Sequence, residues 1–428
     1  MKFRLSRKNW IPQVIILFII AEGLFSKYIE HTTLWNWTSV LLFVLAMISK
    51  HNRVIITKKN VGMTLSFLAA TTLLVIGVFF AESNEQLIDN LLTILYPLVI
   101  CLLVMYASSS DFITVYLERA FIFFNIIWII NLVVLFLQVQ GTGFLIKSNW
   151  LQINNYYQDH CSGLFGMSGT HELSMFSIFM LVYNLYYCDY KIEARSNKRK
   201  LVIYILVTEI LMLVFSVYNE NTALFALLPG FVILYYLLKI EWTNRNISQR
   251  IAKYSLYIII AVVLIGVVLA IPSIRNYIQE SFFDRLNRVL VFEALQTNGS
   301  NERLAIPYYA LSHSWGWHFG KGFGAWRLHL GGYLGFRHFG LSSVGSFITL
   351  GGFWFYIFYT SSYASILKAI CAVEENKSKL WIVCMIVVII LTMYTILYSS
   401  TVCSLWIAMT FLMFGKMYQK IKTESMRK

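Results

Sequence analysis

Long apolar runs recur along the whole chain, and they constrain its fold more than any other feature. A helical run of about 20 apolar residues matches the thickness of a bilayer's hydrocarbon core. Charged residues make up 13% of the 428 residues and hydrophobic residues 58%, whereas soluble domains carry roughly 25% charged residues. The pattern predicts an all-α polytopic membrane protein, a single integral membrane domain over 1–428, with about twelve spans at 10–29, 33–49, 61–81, 91–107, 120–139, 172–190, 201–218, 223–240, 255–272, 341–367, 381–398 and 402–417.

The distribution of Lys and Arg predicts the orientation of these spans. The net charge is +14, and 26 of the 35 cations fall in the two termini and in the connections on one side. Because cytoplasmic connections carry an excess of Lys and Arg, both termini are expected in the cytoplasm. Four cations within the first eight residues precede an apolar run with no small-residue cleavage site, which indicates an uncleaved first span. The positive charge is thus an orientation signal rather than a nucleic-acid surface.

Two long connections fall on the opposite, outer side, at 140–171 and 273–340. Seven of the eight histidines lie on that side. In the longer loop, apolar residues recur at helical spacing over 274–290, which predicts a helix lying along the membrane surface. An Asn-Gly-Ser-Asn run at 298–301 ends that part, and a second helical run, "ERLAIPYYAL", follows it.

Six of the seven cations in the longer loop are arginine, whose planar group binds phosphate oxygens bidentately. Arg303 falls in the first turn of the second helical run, where free backbone N–H groups also favour anions. Anionic lipid headgroups are the alternative partner of these cations. The candidate ligands of a diphosphate group are Arg303, Lys321, Arg327 and Arg337.

The stretch "HSWGWHFGKGFGAWRLHLGGYLGFRHFG" (313–340) combines rings, glycines and cations and contains no acid. Gly322 and Gly324 would let the backbone approach a bulky ligand, and the face of Trp326 would stack on a sugar ring. An interfacial aromatic belt is the alternative. The order of residues is not that of a nucleotide-binding phosphate loop, and the histidines lack the spacing and partners of a zinc site.

Other polar residues are candidates for acid–base chemistry or substrate contact. Neutral imidazole accepts a hydroxyl proton near pH 7, and His338 is our candidate base because the adjacent Arg337 favours the neutral ring. His160, His171, His313 and His318 are the alternatives. On the same side, His160, His171 and Glu220 are candidate substrate ligands. Glu209 and Glu22 lie inside predicted spans, where a carboxyl group needs a partner or water.

These features together resemble the Wzy-type polysaccharide polymerases of the O-antigen polymerase and ligase superfamily. "SGLFGMSGTHELSMF" is similar to the Gly-Leu-Phe segment that leads into a span in that family, and "NERLAIPYYAL…GKGFGAW" is similar to its Arg-led helix followed by Gly-x-Gly. Two positions depart from the family pattern. Asp159-His160-Cys161-Ser162 stands where an arginine is common, and His338-Phe339 stands where His-Asn is common.

The resemblance implies metal-independent glycosyl transfer at the outer face of a bacterial cytoplasmic membrane, without a cofactor. The growing glycan would leave its undecaprenyl diphosphate carrier and join a sugar hydroxyl of another lipid-linked repeat unit. Arg303 would hold the diphosphate and His338 would act as the base. Membrane lipid, a flippase and a chain-length regulator are the expected partners, and nucleic acid is not.

Two other functions fit the sequence. A lipid-linked oligosaccharide flippase also has about twelve spans, but such transporters are built from related halves, which this chain lacks at the sequence level. An O-antigen-ligase-like transferase shares the loop design and differs only in its acceptor.

Overall fold

The computed structural model describes residues 61–77, 120–145, 160–166, 169–192, 194–216, 222–243, 302–321 and 343–371, with the single positions 24, 41, 79, 219, 272, 275, 276 and 279. Within these ranges every regular element is helical, so the all-α prediction is confirmed for this part of the chain. The predicted surface helix over 274–290, of which only three single positions are described, lies outside the described residues. So do the predicted spans before 61, at 91–107, at 255–272 and after 371, apart from the single positions 24, 41 and 272.

Eight α-helices and one 3-10 turn make up the described part. The helices are α1 (Val61–Gly77), α2 (Phe121–Val139), α3 (Thr170–Tyr190), α4 (Arg195–Phe215), α5 (Thr222–Thr243), α6 (Glu302–Leu311), α7 (Ser314–Trp317) and α8 (Ser343–Cys371), and the turn is Gly163–Phe165.

Six predicted spans correspond to α1–α5 and α8. The largest difference is at α4, which begins at Arg195 rather than at 201 because "RSNKRK" forms its first turns; Lys and Arg are good helix formers. Among the described helices, α2 has the length and composition of a membrane span. The twelve-span topology stays a prediction.

Helix α3 is the centre of one group of packed helices. It contacts α2, α4, α5 and the 3-10 turn, and every residue from Leu173 to Tyr186 is buried. A helix that is buried all round needs little amphipathic pattern. Several of its aromatic rings pack edge-on against α2, as in the contact between Phe124 and Phe179, whose ring centroids are 5.4 Å apart. The Asn125 Nδ2 group donates to Asn184 Oδ1 over 3.0 Å and links the two helices.

The outward faces of α2 and of α4 beyond its basic first turns are apolar. On α2 exposed apolar side chains recur every three or four residues, and α4 repeats the pattern; the residues that show it include Ile122, Ile126, Ile129, Val133 and Phe136 on α2 and Ile203, Val207, Ile210 and Val214 on α4. Buried positions of the same helices hold polar side chains, among them Asn131, Gln138 and Glu209. A helix that faces water has the reverse arrangement.

Helix α8 is the centre of a second group, and it contacts α1, α6 and α7. It is broken at Gly352, whose φ of 82° and ψ of 175° are not helical. The break leaves the Thr349 carbonyl without its usual helical donor, and the Lys321 backbone N–H donates to it over 2.7 Å. The chain at His318 passes so close to Gly352 that a β-carbon there would overlap the His318 carbonyl.

We expect Gly352→Ala to destabilise the protein, because alanine is strained at this positive φ and would displace the segment after α7. Strain alone should lower the free energy of unfolding by about 1–2 kcal/mol, and the overlap adds to it. The measurement is thermal unfolding in detergent. Gly230→Ala is the matched control, since Gly230 lies within α5 and a β-carbon there meets nothing within 4 Å. Equal unfolding temperatures for the two variants would contradict the packing of His318 on the break.

Candidate functional site

Four of the predicted site residues lie in the described part of the chain. Arg303 is the second residue of α6, so the predicted placement in a helix's first turn is confirmed. His171 is the second residue of α3, and His160 and Lys321 are also described. The other predicted residues lie outside the described ranges: Glu220, Gly322, Gly324, Trp326, Arg327, Arg337 and His338.

The Gly-Leu-Phe segment forms the 3-10 turn, and it is packed between helices. Cys161, Ser162, Gly163, Phe165 and Gly166 are all buried. The turn contacts both α2 and α3, and the rings of Phe165 and Phe176 meet with centroids 5.5 Å apart. The stretch 140–171 stays a predicted outer connection, and its part 161–166 is packed inside the helix group.

Side-chain amides hold the backbone of this turn. The Gln138 Oε1 atom accepts from the Gly163 N–H over 2.8 Å, and Gln138 Nε2 donates to the Gly163 carbonyl over 2.9 Å. Asn131 Oδ1 accepts from the Leu164 N–H over 2.9 Å. Asn219 Nδ2 donates to the Cys161 carbonyl over 2.9 Å. Non-helical backbone is tolerated among apolar helices only when its polar groups are satisfied in this way.

Gly163 is required at this position for two reasons. Its φ is +62°, in the left-handed region, and an added β-carbon would lie 2.9 Å from the Asn131 carbonyl oxygen. Sequence reasoning found the glycine but missed the amides that bind it. The signal was present, because Asn131 and Gln138 are two helical turns apart in an otherwise apolar run, and a polar side chain in such a run is a functional candidate.

His160 and His171 flank the buried turn in sequence. His160 is half-buried, and its backbone carbonyl accepts a hydrogen bond from Ser162 Oγ over 3.0 Å. His171 and Glu172 lie in the first turn of α3, where an acid such as Glu172 is favourable. The turn thus places both histidines at the end of the group where α2 ends and α3 begins.

A stack of rings and one cation lies at the end of α6 and in the segment directly after it. The His313 ring lies 4.6 Å from the Tyr309 ring and 5.9 Å from the Trp315 ring. The Lys321 ammonium nitrogen lies 5.5 Å from the centre of the Trp315 ring, within the range of a cation–π contact. The predicted combination of flat faces and positive charge is therefore present in this part of the loop.

His313 also has a defined hydrogen-bonding geometry. Its Nδ1 lies 2.9 Å from the Tyr309 carbonyl oxygen, and a carbonyl only accepts, so Nδ1 carries the proton. Nε2 is then left as the acceptor nitrogen of an exposed imidazole. His313 therefore has the geometry of a proton acceptor, and it is a second candidate base in addition to His338.

No protein-family model, curated protein or solved structure matches this chain. Among the described residues no group of three His, Cys, Asp or Glu side chains could hold a metal ion.

We expect Gln138→Leu to loosen the buried turn, because it leaves the Gly163 N–H and carbonyl without partners. Each unsatisfied buried group costs about 1–3 kcal/mol. The measurement is maleimide labelling of Cys161, which is 1% exposed, followed by mass spectrometry. Cys161 should be protected in the wild-type protein and react in the variant.

The matched control for this experiment is Gln140→Leu, two residues along the same helix end, where the side chain is exposed. It should leave Cys161 protected. Reaction of Cys161 at the same rate in both variants, or in the wild-type protein, would show that Gln138 does not hold the turn.

Proposed function

We propose that this protein polymerises lipid-linked oligosaccharide repeat units at the outer face of a bacterial cytoplasmic membrane. The growing glycan is transferred from undecaprenyl diphosphate to a sugar hydroxyl of another lipid-linked repeat. Both termini lie in the cytoplasm. The apolar outward faces of α2 and α4, with polar side chains buried behind them, support a position within a bilayer.

One observation carries the proposal: Arg303 lies in the first turn of α6, ahead of the ring stack that ends at Lys321. The first turn of a helix presents free backbone N–H groups, and anions bind there. Arginine is the residue type that binds phosphate oxygens bidentately. Helices α6 and α7 both pack on α8, so the backbone that carries Arg303 and the backbone that carries the rings have a common helical support.

The proposed reaction exchanges a glycosyl–phosphate bond for a glycosidic bond. The acceptor hydroxyl oxygen attacks the anomeric carbon of the growing glycan, and the bond from that carbon to the diphosphate oxygen breaks. Arg303, with Arg327 and Arg337, stabilises the negative charge that develops on the leaving diphosphate. The proton of the hydroxyl passes to His338. Gly322, Gly324 and Trp326 shape the wall against the sugars, and His160, His171 and Glu220 contact them from the other connections.

The direct test uses purified protein in lipid nanodiscs with the undecaprenyl-diphosphate repeat unit of its own organism, without added metal. A product ladder spaced by one repeat unit is the expected result. A folded protein that binds the lipid and makes no ladder would contradict the proposal. Transport of the lipid-linked unit across vesicles in that case would establish the flippase instead.

We expect Arg303→Ala to abolish long polymer while the protein remains folded in the membrane. Arg303→Lys should restore little of it, because a lysine ammonium cannot replace a bidentate guanidinium. Arg199→Ala is the matched control; Arg199 is exposed in the first turns of α4, on the predicted cytoplasmic side, and its loss should leave the ladder unchanged. A ladder of normal length from Arg303→Ala would rule out its role at the diphosphate.

For His338→Ala we expect a rate of polymerisation lower by about 10²–10⁴-fold at neutral pH, the usual contribution of a general acid or base. The rate of ladder growth should also lose its dependence on pH near neutrality. An unchanged rate would assign the base elsewhere, and His313 is the described residue that would then be tested first.

A further inference from the structure

Five buried side-chain polar atoms in the described part of the chain have no hydrogen-bond partner, and all five lie on α2 and α4. They are Asn125 Oδ1, Trp128 Nε1, Asn131 Nδ2, the Tyr204 hydroxyl and Glu209 Oε2. These two helices pack against each other. Buried polar atoms are nearly always bonded to protein or to ordered water, so five on one pair of helices indicate a ligand between them.

The two helices run in the same direction. Helices α2 and α3 are antiparallel, since Asn125 bonds Asn184 near one end of the pair and Trp128 meets Phe176 further along. Helices α3 and α4 are joined by a short connection and are also antiparallel. Two antiparallel relations leave α2 parallel to α4.

A ring contact defines how far α2 and α4 are shifted along their axes relative to each other. Phe136 of α2 and Phe215 of α4 meet with ring centroids 5.2 Å apart. Glu209 lies six residues before Phe215, and Asn131 and Trp128 lie five and eight residues before Phe136. The unpartnered carboxyl oxygen and two unpartnered N–H donors are therefore at the same depth in the group.

The other two unpartnered residues, Tyr204 and Asn125, are also at equal depth, one to two helical turns further from the Gly-Leu-Phe turn. Tyr204 and Asn125 each lie eleven residues before the ring that pairs their helices. The Asn125 amide is oriented by Nδ2, which donates to the Phe121 carbonyl over 2.9 Å, so the oxygen is the free atom. The Asn131 amide is oriented by the Leu164 N–H, so its nitrogen is the free atom.

The chemistry of these atoms matches water. Donors and acceptors are mixed: N–H groups of Trp128 and Asn131, the hydroxyl of Tyr204, and oxygens of Asn125 and Glu209. A water molecule both donates and accepts, and it needs two to four polar partners. A carboxyl group cannot be left without solvent or a partner among apolar helices, and the described residues include no ion pair to Glu209.

We propose that α2 and α4 enclose an internal water site that solvates Glu209, directly beneath the Gly-Leu-Phe turn. One or more waters accept from Trp128 and Asn131 and donate to Glu209, and a second level of water joins Tyr204 to Asn125. The site is independent of the polymerase proposal, since it uses none of the residues assigned to glycosyl transfer.

The test is X-ray hydroxyl-radical footprinting of the full chain in nanodiscs, with ¹⁸O-labelled water and mass spectrometry. Radicals formed from bound water oxidise the side chains beside it, whereas dry buried side chains stay intact. Trp128 is 0% exposed, yet it should be oxidised and take up label, at a rate approaching that of the exposed Trp317 after correction for intrinsic reactivity. Phe179, also 0% exposed and packed between Phe124 and Tyr183, is the dry control.

Two variants locate the water at Glu209. Glu209→Gln keeps a polar group and should preserve most oxidation of Trp128; Glu209→Leu removes it and should abolish most of the oxidation. Wild-type Trp128 as protected as Phe179 would overturn the site, and this measurement needs no variant to fold. Equal oxidation of Trp128 in the two variants would overturn the role of Glu209.

Discussion

The paired hydrogen bonds between the Gln138 amide and the Gly163 backbone are the interaction on which the first helix group depends. They allow a non-helical turn to lie between apolar helices, where unpaired N–H and carbonyl groups are excluded. This turn also fixes the point at which α3 begins, and it positions the Phe165 ring against the Phe176 ring. Without the amide, the turn's backbone would have its lowest free energy outside the helix group, where water can bond it. The contacts of Phe165 would then be lost.

In this helix group polar side chains lie inside and apolar side chains lie outside. Along the apolar parts of α2 and α4 the side chains that face away from the protein are apolar, while amides, hydroxyls and one carboxyl group lie within. Some polar atoms of these interior side chains bind the turn, and others have no protein partner and define the water site that we infer. Interior polar groups of this kind add no hydrophobic stabilisation. We therefore expect them where they bind a non-helical backbone segment or water inside the helix group.

Sequence reasoning reached the helices whose apolar runs are long and uninterrupted, such as α2, because run length alone decides them. It also placed Arg303 at a helix start, since an Asn-Gly-Ser-Asn run followed by "ERLAIPYYAL" has the composition of a cap and a helix. It did not find the break in α8. Glycines are frequent in membrane helices, so "TLGGFWF" reads as a continuous span until the chain near His318 is seen to pack against Gly352.

The interior position of the Gly-Leu-Phe turn was also beyond the sequence. Its glycines and polar residues are those of a surface connection, and only contacts with residues 25 to 58 positions away along the chain show otherwise. A periodic pattern reports which face of one element is apolar, but it does not report which distant side chain will bond a loop. For the same reason, sequence spacing does not predict the relative positions of the residues that complete the proposed diphosphate site.

The most direct test of the buried, amide-held turn is hydrogen–deuterium exchange of the amides in 160–166, measured on the protein in nanodiscs. The Gly163 and Leu164 N–H groups, bonded to Gln138 and Asn131, should exchange as slowly as those in the middle of α3. Exchange at the rate of an unstructured peptide would place the turn in solvent and contradict the account.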